Sequence, residues 1–167
     1  MCIMPENLMD NPLEISDYCN RHGVTFMGMT NALASVLDPE RFKGLRILSL
    51  GGDSADSKLF EKWALYVNRV INDYGPTEIC VHATATVYEP GYQDIIPIGR
   101  PYNNKKIYIL QGDKLCGIGQ KGEICVGGSG VARGYHNRPK ITTQSFVDNP
   151  FDSGRLYRTG DVGVMRP

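Results

Sequence analysis

The sequence lacks the compositional signals of several specialised classes of protein. Its 18 lysines and arginines balance 18 aspartates and glutamates, so the formal net charge at pH 7 is zero. Without a basic excess, no general affinity for nucleic acid or for an anionic membrane is expected. No uninterrupted apolar run approaches the roughly 18 residues that a membrane-spanning helix needs. These absences exclude nucleic acid and membrane as first choices of partner.

The cysteines lack a recognisable pattern as well, and their spacing argues against a disulfide framework or a zinc site. The cysteines are odd in number and include no CxxC pair: Cys2, Cys19, Cys80, Cys116 and Cys125. Residues 1–11 carry Glu6 and Asp10 and have neither the basic region nor the long apolar region of a secretory signal. We therefore expect a cytoplasmic protein whose thiols are mostly buried.

Glycine is the residue that the sequence has in excess. It accounts for 19 of 167 residues, about 11% against an average near 7%. Hydrophobic residues make up 41% of the chain, which is ample for a core, and the length suggests one domain. The positions of the glycines therefore become the main clue to function.

The first half of the chain alternates β-rich runs with helical patterns. Asn11, Pro12 and Glu14 predict the start of a helix, and Gly23 predicts its end. Strands are predicted at 24–27, 45–50 and 70–71, with helices at 30–37 and 57–67. Such alternation predicts an α/β fold in which a mostly parallel sheet is flanked by helices.

The second half places apolar residues at every second position. The runs 106–110 and 123–126 therefore read as strands, and the turn-rich connection between them predicts a hairpin or meander. A helical stretch near 140–146 and a short strand at 156–158 follow. We accordingly divide the chain into an α/β subdomain, residues 1–100, and a small appended β-rich segment, residues 101–167.

The segment NDYGPTE, residues 72–78, follows a predicted strand at the sheet edge where open α/β folds bind ligands. The Asn72 amide has the paired donor and acceptor that an adenine edge requires, and Tyr74 offers a flat face for a purine. Thr77 supplies a hydroxyl, and the Glu78 carboxylate suits a divalent cation bound to phosphate. An ordinary strand-turn-helix junction with Thr77 as helix cap is the alternative.

Two further segments contain glycine beside a predicted strand. The cluster at 127–134 permits close backbone approach, and we favour a tight structural turn there over a phosphate cradle. Asp161 follows the strand at 156–158, where a carboxylate can accept two hydrogen bonds from a ribose diol. Taken alone, Asp161 is more typical of a turn.

In this order, the motifs resemble those of the adenylation domains of nonribosomal peptide synthetases, within the adenylate-forming enzyme superfamily. The resemblance covers nearly the whole chain, and the ARGY and VDNPF details favour the peptide-synthetase branch. The matching segments are NDYGPTE at 72–78, PIGRP at 97–101, KGEICVGGSGVARGY at 121–135, RP at 138–139, FVDNPF at 146–151 and YRTGD at 157–161.

The resemblance implies a flavodoxin-like subdomain of an ATP-dependent ligase. Such an enzyme forms aminoacyl-AMP from an amino acid and ATP, then loads it onto the phosphopantetheine thiol of a peptidyl carrier domain, beside condensation domains. Carried over by motif, Asn72 and Tyr74 contact adenine in ATP or AMP, and Asp161 binds the ribose. Thr77 and Glu78 are then the catalytic positions, at the phosphate and at Mg²⁺ respectively.

The resemblance also implies a pocket for the amino-acid side chain. Alignment through the Gly51-Gly52-Asp53-Ser54 segment and NDYGPTE places six residues at lining positions: Gly28, Leu48, Leu50, Asp73, Val81 and His82. A substrate with an apolar stem and a polar or cationic head, which Asp73 could pair with, is our hypothesis. For His82, a structural role beside a helix is the alternative.

Two parts of the family's active site have no counterpart in the sequence. The Ser/Thr/Gly-rich phosphate loop and the lysine of a mobile C-terminal domain, which stabilise phosphate charge in the family, are missing. We therefore expect the isolated chain to be inactive and to need the rest of the adenylation domain. A non-catalytic module that binds adenosine nucleotide or amino acid is the alternative. A dinucleotide oxidoreductase is disfavoured because no GxGxxG lies between the first β-rich run, residues 2–4, and the first predicted helix.

Overall fold

The computed structural model describes residues 2–8, 11–92 and 95–167, and the chain divides into two units. The first unit is Met1–Asp73 together with Ala85–Gly99, and the second is Tyr74–Thr84 together with Arg100–Pro167. Each unit is thus built from two separate pieces of chain. The division predicted at residue 100 lies at the end of the first unit, whereas the segment Tyr74–Thr84 belongs to the second.

The first unit alternates helices with short strands. Its helices are α1 (Pro12–Arg21), α2 (Asn31–Val36) and α3 (Ser57–Ala64), with 3₁₀ helices at Glu6–Leu8 and Pro39–Arg41. Its strands are β1 (Phe26–Thr30), β2 (Ile47–Gly51), β3 (Arg69–Tyr74) and β4 (Thr84–Val87), in that order across the sheet. Because β2 pairs in parallel with both β1 and β3, the predicted α/β fold with parallel strands is confirmed for these three.

The ends of α1 follow from local chemistry. The Asn11 side chain accepts a hydrogen bond from the main-chain N–H of Leu13 at 3.1 Å, and Pro12 occupies the first turn, where no intrahelical donor is needed. Gly23 follows the helix with a φ of 60°, the left-handed conformation that suits glycine. Both ends therefore lie where the sequence predicted them.

The core of the first unit gathers apolar side chains from its helices and from β2. Trp63 on α3 is fully buried and packs against Phe42, with ring centroids 5.4 Å apart. Its indole N–H donates to the main-chain oxygen of Ala34 at 3.1 Å. A large apolar surface is thus buried with its one polar group satisfied, which anchors α3 in the unit.

The second unit is mainly antiparallel. Its strands are β5 (Arg100–Pro101), β6 (Lys105–Gln111), β7 (Lys114–Leu115), β8 (Lys121–Gly128), β9 (Phe146–Asp148) and β10 (Arg155–Val164), and its one α-helix among the described residues is α4 (Pro139–Ser145). Five of these strands form a sheet in the order β7-β6-β8-β10-β9. The predicted hairpin is therefore part of a larger sheet, in which β10 runs well beyond the short strand predicted at 156–158.

No helix in the part of the chain that the structure describes is long and apolar enough to cross a membrane. The longest of them, α1, has 10 residues, about half the length that a membrane-spanning helix needs.

Candidate nucleotide and amino-acid site

The NDYGPTE and YRTGD motifs meet in the second unit through one hydrogen bond. The Tyr74 hydroxyl donates to Oδ2 of Asp161 at 2.6 Å, and the two residues are 87 positions apart in the sequence. Burial raises the pKa of Tyr74, and the bond to Asp161 raises it further, so the phenol stays protonated and acts as the donor. Among the described residues, Asp161 Oδ1 receives no hydrogen bond, which leaves an acceptor for a ligand.

A break in the ladder between β8 and β10 places Asp161. The pairing register shifts between Arg158 and Val162, so the residues between them bulge from the strand. The Thr159 hydroxyl donates to the main-chain oxygen of Ile124 at 2.7 Å and accepts the main-chain N–H of Asp161 at 3.0 Å. The bulge therefore has a defined conformation rather than being a loose turn.

Glu123 on β8 fixes the same bulge from its other side. Its Oε1 accepts the main-chain N–H of Gly160 at 3.0 Å, and its Oε2 accepts two hydrogen bonds from the Arg158 guanidinium, at 3.0 and 2.7 Å. Gly160 has a φ of 79°, a conformation that disfavours side chains. The KGEICVGG segment thus stabilises the conformation of the YRTGD segment through hydrogen bonds to Glu123. The sequence did not predict this contact, because Glu123 and Gly160 are 37 positions apart.

Thr77 and Glu78 lie in a single 3₁₀ turn, Thr77–Ile79, directly after Pro76. No α-helix follows, since Cys80 and Val81 adopt positive φ values of 61° and 67°. Pro76 occupies the cap position, and no side chain caps the turn. The strand-turn-helix alternative, with Thr77 as helix cap, is therefore not what the structure shows.

The Glu78 carboxylate is held by a tyrosine from the glycine-rich segment. The Tyr135 hydroxyl donates to Oε1 of Glu78 at 2.7 Å, and the Tyr157 hydroxyl lies 3.4 Å from that of Tyr135. Burial raises the pKa of Glu78, but hydrogen bonds from Tyr135, from its own main chain and from Tyr157 together outweigh burial and lower it. Glu78 is therefore ionised at neutral pH.

The glycine cluster at 127–134 and the nearby Lys105 also form hydrogen bonds with the main chain around Glu78. The Ala132 N–H donates to the Glu78 oxygen at 2.8 Å, and the Lys105 ammonium donates to the Ile79 oxygen at 2.6 Å. At the start of the cluster, the Ser129 N–H donates to the Asn104 oxygen at 2.9 Å. These contacts agree with the structural turn that the sequence favoured at 127–134.

Asn72, the predicted adenine contact, lies in the first unit. Its side chain is 4% exposed, and its amide N–H donates to the main-chain oxygen of Pro97 at 2.9 Å. The motifs NDYGPTE and PIGRP therefore meet within this unit. The role of Asn72 toward adenine stays a prediction.

The predicted pocket positions in the first unit divide between two faces of the sheet. Leu48 and Leu50 are both 0% exposed and belong to the core, so their side chains are not available to a pocket. Ser49 alternates with them and pairs in register with Gly28 on β1. The Ser49 hydroxyl donates to Oδ2 of Asp73, which defines the face opposite the core.

This face is open beside Gly28, whose place in an amino-acid pocket stays a prediction. A Cβ added to Gly28 would meet no atom within 4 Å. Two residues after Ser49, Gly51 lies so close to Asp73 that a Cβ there would be 2.7 Å from the Asp73 main-chain oxygen. The sequence prediction had the alternation of β2 right but chose the wrong set of side chains: Ser49 and Gly51, not the two leucines, share the face of Gly28 and Asp73. The feature of the sequence that indicates a core position for Leu48 and Leu50 is their apolar side chains.

The other two predicted pocket residues, Val81 and His82, belong to the second unit. Both are exposed, and Val81 is 58% exposed. The His82 ring contacts Tyr102 edge-on with centroids 5.8 Å apart, and the main-chain N–H of His82 donates to the main-chain oxygen of Cys80 at 2.8 Å. His82 lies between bends at Val81 and Ala83, and no α-helix follows the 3₁₀ turn Thr77–Ile79 in this segment. Their place in an amino-acid pocket stays a prediction.

A family model described as "AMP-binding enzyme" matches residues 1–136. The chain belongs to this family. It is 38% identical to gramicidin S synthase 1 of Brevibacillus brevis over 170 residues, which cover 99% of this chain and 15% of that protein. It is 40% identical to tyrocidine synthase 1 of Brevibacillus parabrevis over 151 residues, covering 87% of the chain and 14% of that protein.

Solved structures extend the likeness to the fold of the chain. A four-domain nonribosomal peptide synthetase bound to AMP and glycine matches with a TM-score of 0.86 and 31% identity, over 98% of this chain and 13% of that one. A nonribosomal peptide synthetase protein with adenylation and PCP domains matches with a TM-score of 0.81 and 28% identity, over 93% of this chain and 34% of that one. The chain is homologous to adenylation domains of such synthetases and spans a small part of them.

The side chains around Glu78 fit a magnesium ion only in part. Glu78 offers one ionised carboxylate, and Oε2 of that carboxylate is the oxygen that Tyr135 does not occupy. Within the described ranges, no group of three or more His, Cys, Asp or Glu residues could hold a metal ion. Mg²⁺ commonly binds through one or two carboxylates together with substrate phosphates and water. Glu78 therefore fits a Mg²⁺ that arrives with a nucleotide, not a metal cage made by protein alone.

Proposed function

We propose that the chain is part of an adenylation domain that activates an α-amino acid with ATP for nonribosomal peptide synthesis. The amino-acid carboxylate attacks the α-phosphorus of ATP, and the bond to the leaving pyrophosphate breaks. A phosphopantetheine thiol of a peptidyl carrier domain then attacks the acyl carbon, and AMP leaves. The observation that carries the proposal is the bond between Tyr74 and Asp161, because it joins two motifs that the family uses for the nucleotide.

The second unit supplies the chemistry for adenosine. Tyr74 presents an aromatic ring that is held in place by the hydrogen bond from its hydroxyl to Asp161, and purines stack on aromatic rings. Asp161 keeps Oδ1 available, and a ribose diol donates two hydrogen bonds to a carboxylate. A further contact, to the adenine edge, is proposed for Asn72 of the first unit by the family resemblance alone.

Thr77 and Glu78 serve the phosphate end. Thr77 is exposed at the start of its 3₁₀ turn, so its hydroxyl can donate to a phosphate oxygen. Glu78 holds a carboxylate oxygen ready for Mg²⁺ bound to the triphosphate. That ion supplies neutralisation of the charge that develops on phosphate.

The first unit supplies a face for the amino-acid side chain. Gly28 leaves open space, and Asp73 adds a buried carboxylate that accepts the Ser49 hydroxyl. A buried carboxylate favours a cationic or hydrogen-bond-donating partner. We propose a substrate with an apolar stem and a polar or cationic head.

Substrate choice is tested by amino-acid-dependent pyrophosphate exchange in the complete domain that carries this segment. Cationic and polar amino acids should be activated best, and Asp73→Asn should reduce activation of a cationic substrate about tenfold. The exposed loop variant Asp53→Asn is the matched control and should change nothing. Exclusive activation of a large aliphatic amino acid would contradict the substrate class.

The isolated 167-residue chain is expected to bind nucleotide poorly. Two groups that the family uses to stabilise phosphate charge have no counterpart in its sequence, so Asp161, Thr77 and Glu78 would act without that support. Calorimetry with ATP and Mg²⁺ should detect weak binding or none. Micromolar affinity would show that the chain is a self-sufficient nucleotide module.

A further inference from the structure

A tyrosine that the family motifs do not assign to the nucleotide reaches the carboxylate proposed to bind Mg²⁺. The Tyr135 hydroxyl donates to Oε1 of Glu78 at 2.7 Å across 57 positions of sequence. We propose that Tyr135 is a positioning residue for Glu78, a proposal that rests on the proposed function. Because Tyr135 occupies Oε1, Oε2 of the same carboxylate would be the oxygen offered to a Mg²⁺ that arrives with the nucleotide.

Tyr135 is itself held at several points. Its main-chain N–H donates to the Thr142 hydroxyl at 2.9 Å, and its ring meets Phe146 edge-on with centroids 5.4 Å apart. Gly134, just before it, has a φ of 139°, and a Cβ there would be 2.3 Å from Thr142 Cγ2. Because these contacts fix the Tyr135 ring, its hydroxyl has a defined position and can hold the Glu78 carboxylate in place.

The same segment also holds the Glu78 main chain. Ala132 donates its N–H to the Glu78 oxygen at 2.8 Å, three residues before Tyr135 in the sequence. A glutamate with a fixed backbone still has several side-chain rotamers, and the Tyr135 bond removes that freedom before a ligand binds. Preorganisation of this kind strengthens binding of the ligand without adding a contact to it.

A purely structural role for Tyr135 predicts a different result. Removing a structural bond would weaken every ligand of the unit to a similar degree, since the fold around all of them would loosen. A positioning role predicts a loss confined to ligands that carry Mg²⁺, because only they use the Glu78 carboxylate. The two roles are therefore separated by comparing MgATP with metal-free AMP.

The test uses calorimetry on the complete adenylation domain that carries this segment. Tyr135→Phe should raise the Kd for MgATP about fivefold to tenfold and leave the Kd for AMP in EDTA within twofold. Tyr108→Phe is the matched control, because the Tyr108 hydroxyl accepts a weak bond from Asn149 and its ring stacks on Phe151. It should change neither Kd.

A reciprocal variant keeps the test decisive if Tyr135→Phe lowers stability. In a Glu78→Gln background, Tyr135→Phe should cause no further change in the Kd for MgATP. An equal loss for MgATP and AMP, an unchanged Kd for MgATP, or full additivity with Glu78→Gln overturns the positioning role alone. If the unaltered domain binds neither nucleotide, the proposed function fails, and this inference fails with it.

Discussion

Replacing Gly75 with alanine is expected to disrupt the turn that carries the nucleotide motif. A Cβ at this position would lie 2.3 Å from the Val81 main-chain oxygen and 2.6 Å from the Ala83 main-chain nitrogen. Both are backbone atoms in a turn already fixed by the hydrogen bond from the Ala83 N–H to the Tyr74 oxygen at 2.8 Å. Because neither atom can move like a flexible side chain, we expect a loss of about 3 kcal/mol in the free energy of unfolding.

The measurement is urea unfolding of the 167-residue chain followed by far-UV circular dichroism. Gly28→Ala is the matched control, since a Cβ there meets no atom within 4 Å. That variant should unfold within about 1 kcal/mol of the unaltered chain. Equal midpoints for the two glycine variants would show that the turn around Gly75 is not packed as the structure describes.

Replacing Asp161 with alanine is expected to weaken AMP binding by the complete domain by about 100-fold or more. The carboxylate is proposed to accept two hydrogen bonds from the ribose, and each charged hydrogen bond contributes about 1.5 to 3 kcal/mol. The variant also removes the acceptor of the Tyr74 hydroxyl, so the Tyr74 ring, on which the purine is proposed to stack, loses the hydrogen bond that holds it. Both losses act on the same ligand.

The control for this experiment is Asp113→Ala, whose side chain is 96% exposed and pairs loosely with Arg158 at 3.7 Å. It should leave the Kd for AMP within twofold, as expected of a surface ion pair. Calorimetry gives both values. An Asp161→Ala variant that binds AMP within threefold of the unaltered domain would exclude the ribose role.

Local patterns in the sequence predicted the local parts of the fold well. The cap at Asn11 and the stop at Gly23 are confirmed, because both depend on chemistry within a few residues. Parallel pairing of β1, β2 and β3 is confirmed too, since alternation of strands and helices has few other solutions. Such features need no knowledge of distant contacts.

Distant contacts were the part that the sequence could not provide. Glu123 supports Gly160 and Tyr135 supports Glu78, yet neither pair shows a spacing that predicts contact. The sequence also does not predict the bulge in β10. Thr159, Gly160 and Asp161 interrupt the apolar alternation and are therefore typical of the end of a strand. These contacts form only when β8 and β10 pair, which is a property of the fold.

The choice of face on β2 failed for a different reason. A strand has two faces related by a shift of one residue, so an alignment error of one position exchanges them. Leu48 and Leu50 were assigned to a pocket, and the structure buries both. Ser49, between them, bonds to Asp73 instead. The apolar character of Leu48 and Leu50 favours the observed arrangement, in which both leucines face the core and Ser49 faces Asp73.

The central claim is that this chain belongs to a domain that joins an α-amino acid to AMP. Its most direct test is exchange of radiolabelled pyrophosphate into ATP by the complete domain, with and without each amino acid. We predict exchange that requires one α-amino acid and that falls sharply in Asp161→Ala. Exchange supported by carboxylic acids without an amino group, or by no acid at all, would contradict the claim.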